Sequence, residues 1–197
     1  MLRRFATATL LIVALGGLSA CQSWDEIKGT QEEIAVKDGE TEGIYLTAGG
    51  LKYQVQISRV LNPYDIEDRE YLYQVPQADA NLGRDNSWFG VFMRVQNSND
   101  DDTKPLRMAS QFRIEDTTGT EFQPIAQSPE VNSHFYSQST LAPGDIFPEL
   151  DTTAGSSTTQ GALLLFKIPT RRMENRPLIL HITAPDGSDE ASVDLDV

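Results

Sequence analysis

Residues 51–57 read Leu-Lys-Tyr-Gln-Val-Gln-Ile, so apolar and polar side chains alternate along the whole stretch. An alternation with a period of two residues places the apolar side chains on one face of an extended chain and the polar ones on the other. The apolar side chains are Leu51, Tyr53, Val55 and Ile57. The stretch therefore predicts a half-buried β-strand at the start of the folded domain.

Similar short segments follow along the rest of the chain. Further strands are predicted at residues 89–95, 112–114, 121–124, 162–168, 178–182 and 191–197. Turns are predicted at Asp116-Thr-Thr-Gly and Leu141-Ala-Pro-Gly-Asp because glycine, proline and aspartate favour tight turns. No stretch after Cys21 has the spacing of an amphipathic helix. Many short strands joined by such turns predict an all-β domain that is a sandwich or a barrel.

The first residues have the arrangement of a bacterial secretory signal. Arg3 and Arg4 precede an apolar run at residues 10–18, which is shorter than the roughly 20 residues that a membrane-spanning helix needs. Leu18-Ser-Ala-Cys21 resembles the lipobox of bacterial lipoproteins, which implies cleavage before Cys21 and lipidation of its thiol. Cys21 is the only cysteine in the chain, which favours a lipobox over a plain secretory signal.

Three regions are therefore expected. Residues 1–20 are predicted to be a lipoprotein signal peptide that forms a separate helix, residues 21–42 a lipid-anchored flexible tether, and residues 43–197 the β-sandwich domain. The anchor at Cys21 is the predicted contact with the cell membrane, with the domain facing the extracytoplasmic side. The formal net charge of -13 argues against nucleic acid as a partner, because phosphates would be repelled.

The order of several motifs resembles the immunoglobulin-like domains of secreted and lipid-anchored bacterial proteins grouped with the immunoprotective extracellular antigens. The matching segments are Gly49-Gly-Leu-x-Tyr53, Trp88-Phe-Gly-Val-Phe-x-Arg-Val-x-Asn97, Asp116-x-x-Gly119, Leu141-x-Pro-Gly144 and Gly161-x-Leu-Leu-Leu-Phe-x-Ile168. The resemblance covers roughly residues 44–183 and implies an immunoglobulin-like β-sandwich outside the cytoplasm. Its motifs are structural, so it implies no catalytic residues.

Residues 62–87 form an insertion that this pattern does not cover. Tyr64, Tyr71 and Tyr73 lie within it and are the candidate partner-binding residues, because tyrosine gives a large contact area at a low entropic cost. The turns near Asn97 and His134 are expected to extend the same surface. In the alternative interpretation, residues 71–73 form a short strand that covers an edge of the sandwich.

Two aromatic residues of the predicted strand at 89–95 raise a related question. Trp88 and Phe92 point away from the face that carries Phe89 and Val91. Their face is therefore either covered, with the insertion as the nearest candidate, or exposed as an aromatic patch for a partner. Coverage is the favoured alternative, because it removes two large rings from water.

The sequence favours a non-enzymatic binding module of the cell envelope, with another envelope protein as its expected partner. One alternative is a calcium-binding protein that uses the acidic residues 99–102 or 65–70. The other is an envelope hydrolase that uses His134 or His181. No catalytic residue, metal ligand or cofactor is assigned, because the chain has neither a Gly-x-Ser-x-Gly motif nor the spacing of a calcium-binding loop.

Overall fold

The computed structural model describes residues 45–76, 81–98 and 104–195. The predictions for residues 1–42, Cys21 included, lie outside the described residues, as does the acidic segment 99–103. The described strands in chain order are β1 (Tyr45–Ala48), β2 (Leu51–Leu61), β3 (Asn86–Gln96), β4 (Leu106–Arg107), β5 (Gln111–Glu115), β6 (Glu121–Phe122), β7 (Thr140–Leu141), β8 (Ile146–Phe147), β9 (Ala162–Pro169), β10 (Leu178–Thr183) and β11 (Glu190–Leu195).

Helices are few and short in the described residues. Helix α1 (Asp68–Tyr71) and helix α2 (Thr153–Ser156) have a single turn each, and a 3₁₀ turn spans Thr170–Glu174. Within the described ranges no helix has the length and apolar character needed to cross a membrane.

The strands form two facing antiparallel sheets. In the first sheet β2 lies between β1 and β3, while β9 and the short β8 pair with the other side of β3. The second sheet has the order β11-β10-β5-β6, and β4 pairs with β7 outside both sheets. Strands β2, β3 and β9 correspond to A, B and E of an immunoglobulin domain, and β11, β10 and β5 to G, F and C. The two facing sheets confirm the predicted all-β sandwich.

The core lies between the sheets and is built by the alternation seen in the sequence. Tyr53 and Phe89 come from the first sheet, Ile114 and Leu180 from the second, and all four are fully buried in one apolar cluster. The prediction for Ile57 is wrong, because its side chain is 40% exposed. A β-bulge between Val55 and Ile57 shifts the register against β3 by one residue. Side chains after the bulge therefore point to the face opposite to the one that the alternation predicts.

The turn between β5 and β6 is held by the buried carboxylate of Asp116. Its Oδ1 accepts hydrogen bonds from the backbone N–H of Thr118 at 2.9 Å and of Thr120 at 3.0 Å. Its Oδ2 accepts from Asn175 Nδ2 at 3.0 Å and from Arg172 Nη1 at 3.3 Å. The Asp-x-x-Gly motif therefore joins the hairpin to the 3₁₀ turn that precedes β10.

The end of β3 is tied to the Leu141-Ala-Pro-Gly-Asp145 turn by Asn97. The Asn97 side chain is fully buried and donates from Nδ2 to the Leu141 carbonyl at 3.0 Å. Its backbone carbonyl accepts from Gly144 N–H at 2.8 Å, and its own N–H donates to the Asp145 carbonyl at 3.0 Å. The Asn97 side chain is therefore engaged within the fold, and the turn that follows it, which was predicted to extend the contact surface, lies largely outside the described residues.

Candidate partner-binding surface

The described part of the insertion packs on the outer face of the first sheet. Tyr71 is 6% exposed, and its ring meets Phe92 edge to face at 4.9 Å between centroids. Trp88 and Leu163 belong to the same small cluster, which is separate from the core between the sheets. The favoured prediction that the Trp88 and Phe92 face is covered is thus confirmed, and the insertion covers it together with Ile125 and Phe135.

An ion pair fixes the insertion at the end of β2. Asp68 is 3% exposed, and its carboxylate accepts hydrogen bonds from Arg59 Nη2 at 2.5 Å and from Asn62 N–H at 2.7 Å. Burial by itself would raise the pKa of Asp68, but these two donors outweigh it and the net shift is downward. Part of the acidic stretch at residues 65–70 therefore serves a structural purpose.

The three tyrosines of the insertion have different environments. Tyr64 is 93% exposed and Tyr73 is 60% exposed, so both offer their rings to solvent. Tyr71 is buried between the insertion and the first sheet, so its side chain is not available to a partner. The alternative strand at residues 71–73 is wrong as well, because the chain forms helix α1 up to Tyr71 and then a turn.

An open groove lies between the insertion and the loop of residues 128–134. It has a volume of about 690 Å³ and is here called the Ile66 groove. The insertion supplies one wall and the loop supplies the other. The lining residues are Ile66, Arg69, Glu70, Tyr73, Val131, Asn132, Ser133 and His134. Tyr73 therefore belongs to the groove, whereas Tyr64 does not line it.

Asn132 holds the two walls of the Ile66 groove together. Its Nδ2 donates to the carbonyls of Glu70 at 2.9 Å and Tyr73 at 3.2 Å. Its Oδ1 accepts from His134 N–H at 3.1 Å. Asn132 itself is 6% exposed, so these hydrogen bonds are shielded from water. The groove is therefore formed before any partner arrives.

Asn132→Ala should lower the free energy of unfolding by about 1 to 2 kcal/mol, because it removes the side-chain donor to the carbonyls of Glu70 and Tyr73 and leaves the buried His134 N–H without its acceptor. Urea unfolding of the variant beside the parent chain measures this loss. Ser133→Ala is the matched control, because Ser133 is the exposed neighbour of Asn132. Equal stability of the Asn132→Ala variant and the parent would contradict the role given to Asn132.

His134 forms part of the floor of the Ile66 groove. It is 6% exposed, and its ring meets Tyr71 edge to face at 4.8 Å. Among the described residues Nδ1 has no hydrogen-bond partner. Burial lowers the pKa of His134, and the charge of Glu70 opposes this shift without cancelling it. The imidazole is therefore neutral near pH 7.

His181 has a different environment on the outer face of the second sheet. Its Nδ1 lies 3.1 Å from Glu190 and its Nε2 lies 3.3 Å from Glu115. Arg113 binds Glu190 through both terminal nitrogens and, with Thr183 and His181, lowers the pKa of Glu190 to about 2. Because both imidazole nitrogens face carboxylates, neither is directed at a serine as a triad would require.

In the described ranges no three His, Cys, Asp or Glu side chains are close enough together to bind a metal ion. Both carboxylates already have partners, since Asp65 accepts from Glu67 N–H at 2.8 Å within the insertion and Asp68 pairs with Arg59 of β2. Residues 65–70 therefore give no support to the alternative that the protein binds calcium.

Tyr73 and the turn near His134 are predicted from the sequence to belong to one surface, and the structure brings them together at the Ile66 groove. Ile66 and Val131, which are 72% and 46% exposed, were not predicted. Single apolar residues within polar segments give no periodic signal, so only the fold reveals that they are neighbours.

No protein-family model matches the chain, and no curated protein matches it with significance.

Proposed function

We propose that the chain is a lipid-anchored protein of the cell envelope whose immunoglobulin-like module binds another envelope protein, without catalysis, through the Ile66 groove. The observation that carries this proposal is the exposure of Ile66 at 72%, Tyr73 at 60% and Val131 at 46% around one groove. Apolar and aromatic side chains gathered at one concave surface are typical of protein contact sites.

The rigidity of the groove supports the same proposal. Asn132 joins the walls, and the Arg59–Asp68 pair fixes the insertion to β2. A preformed surface loses little conformational entropy when a partner binds. Arg69 and Glu70 bring one charge of each sign to the groove, so it does not share the strong negative charge of the whole chain.

The anchor is part of the proposal and rests on the lipobox resemblance that ends at Cys21. Lipidation at that position would keep the module beside other proteins of the same membrane surface. Confinement to a surface raises the effective concentration of a neighbouring partner, so that a modest intrinsic affinity suffices.

Cross-linking in the protein's own cells tests the proposal. Ile66→Asp places a charge at the groove and Tyr73→Ala removes an exposed ring, so each should reduce the discrete cross-linked species by about tenfold or more. Leu150→Asp is the matched control, because Leu150 is 63% exposed and lies outside the groove. Cross-links that survive both groove substitutions would refute the assignment of the surface.

A further inference from the structure

A second cleft lies at the open edge of the sandwich, between β5 of one sheet and β9 of the other. Its volume is about 570 Å³. The cleft is lined by segment 110–112 beside the second sheet and by segment 163–165 of the first. Segments 123–127 and 135–138 complete its lining. None of its lining residues belongs to the Ile66 groove, so this cleft is a separate feature.

One backbone edge of β5 faces this cleft. β5 pairs with β10 from Gln111 to Glu115, but with β6 only at Ile114 and Glu115. The chain leaves the second sheet after Phe122 and bridges to β9 at Pro124. Along its first residues, β5 thus lacks a strand on the cleft side among the described residues.

The direction of the free backbone groups follows from the hairpin. Asp116 N–H donates to the Thr120 carbonyl, on the side of β6. In an antiparallel strand the N–H and C=O groups of alternate residues point to the same side. Ile114 therefore faces β6, and Phe112 directs its N–H and C=O into the cleft, where β6 no longer runs.

The edge of β9 is already occupied, in contrast to that of β5. Ile125 N–H donates to the Leu165 carbonyl at 2.7 Å, and Tyr136 N–H donates to the Leu163 carbonyl at 2.9 Å. Leu163 N–H donates in turn to the His134 carbonyl at 2.7 Å. A ligand that pairs with backbone in this cleft would therefore pair with β5.

The described residues that line the cleft carry no charge, although 23% of the chain is charged. Glutamine amides border it instead, at Gln111, Gln123, Gln127 and Gln138. The Nε2 atom of Gln127 is buried and has no hydrogen-bond partner among the described residues. Amide groups both donate and accept hydrogen bonds, so they complement the peptide bonds of an uncharged ligand.

We infer that this cleft binds an uncharged, extended peptide segment of a partner protein, which adds a strand to β5 beside Phe112. Strand addition to an unpaired edge supplies main-chain hydrogen bonds, and the neutral lining favours neutral side chains. A sugar fits less well, because the rings of Phe112 and Tyr136 pack edge to face at 4.9 Å instead of offering a stacking face.

Random 12-residue peptides displayed on phage, selected against the full chain, provide the probe. The most enriched peptide is synthesised and titrated by fluorescence anisotropy. Ala126→Trp places a large ring in the cleft at an exposed lining position, and Ala142→Trp is the control at an exposed alanine outside it. Thermal unfolding confirms that both variants fold.

The expected result is enrichment of peptides with an uncharged run, whose binding Ala126→Trp weakens about tenfold or more while Ala142→Trp leaves it unchanged. N-methylation at alternate peptide positions should abolish binding in one register only, because successive N–H groups of a strand point to opposite sides.

Four results would overturn the inference. The first two are that no selected peptide is sensitive to Ala126→Trp, and that N-methylation is tolerated equally at every peptide position. The other two are competition by neutral oligosaccharides instead of peptides, and loss of peptide binding through Ile66→Asp. The last result implicates the Ile66 groove, so it separates failure here from failure of the proposed function.

Discussion

Tyr71→Ala should lower the free energy of unfolding by about 3 to 5 kcal/mol, as truncation of a large buried aromatic side chain does. Tyr71 is 6% exposed, and its ring packs against Phe92 and His134. Its removal leaves a cavity between the insertion and the first sheet. Urea unfolding followed by tryptophan fluorescence measures the loss, since Trp88 belongs to the same cluster.

Tyr64→Ala is the matched control, because it removes the same ring from a position that is 93% exposed. Its effect on the free energy of unfolding should stay within about 0.5 kcal/mol, as for most surface substitutions. A similar loss in the two variants would mean that the insertion does not cover Phe92. The two variants therefore separate Tyr71, which stabilises the fold, from Tyr64, whose role as a contact residue stays a prediction.

Asp116→Ala should lower the free energy of unfolding by about 3 kcal/mol, because it removes a buried charged acceptor on which several hydrogen-bond donors converge. The side chain of Asp116 is fully buried and accepts from Thr118, Thr120 and Asn175. Asp186→Ala is the control, since Asp186 makes a similar turn with Ser188 at an exposed position. Comparable losses in both variants would contradict the structural role of the Asp116 turn.

The stabilising effect of Asp116 should also depend on pH. Burial would raise the pKa of Asp116, but the hydrogen bonds from Thr118, Asn175 and Thr120 lower it well below its usual value. A carboxyl group whose pKa is lowered by folding stabilises the folded state above its unfolded pKa, and this stabilisation is lost as the pH falls through the folded pKa. The stability difference between the parent chain and Asp116→Asn should therefore be constant near neutral pH and shrink on acidification below the usual pKa of an aspartate. A difference that grows on acidification would contradict this account.

The sandwich could be predicted from the sequence because burial on one face of a strand imposes a period of two residues. Phe89, Val91 and Met93 follow that period, and all three are fully buried. The period fails at Ile57, where a bulge adds one residue to β2. A bulge leaves the composition of a strand unchanged, so nothing in the pattern indicated it.

The candidate site was harder to predict because its parts are distant in the chain. Asn132 contacts the backbone of Glu70 and Tyr73, about sixty residues away, and a single sequence contains no signal for such a contact. Tyr71 lies among charged residues in a one-turn helix, which is too short to show helical periodicity. Tyr71 is buried and Tyr73 is exposed, although nothing in the sequence around them distinguishes the two tyrosines.

The proposed partner-binding surface is tested most directly by a photo-cross-linking amino acid at Val131, in the loop wall of the Ile66 groove, in the cells that make the protein. We expect one discrete cross-linked envelope protein, which is lost when Ile66→Asp is added in the opposite wall. Cys21→Ser should reduce the same cross-link, because the unlipidated chain would leave the membrane surface. Capture of nothing at Val131, or of the same species at Leu150 outside the groove, would refute the assignment of the binding surface.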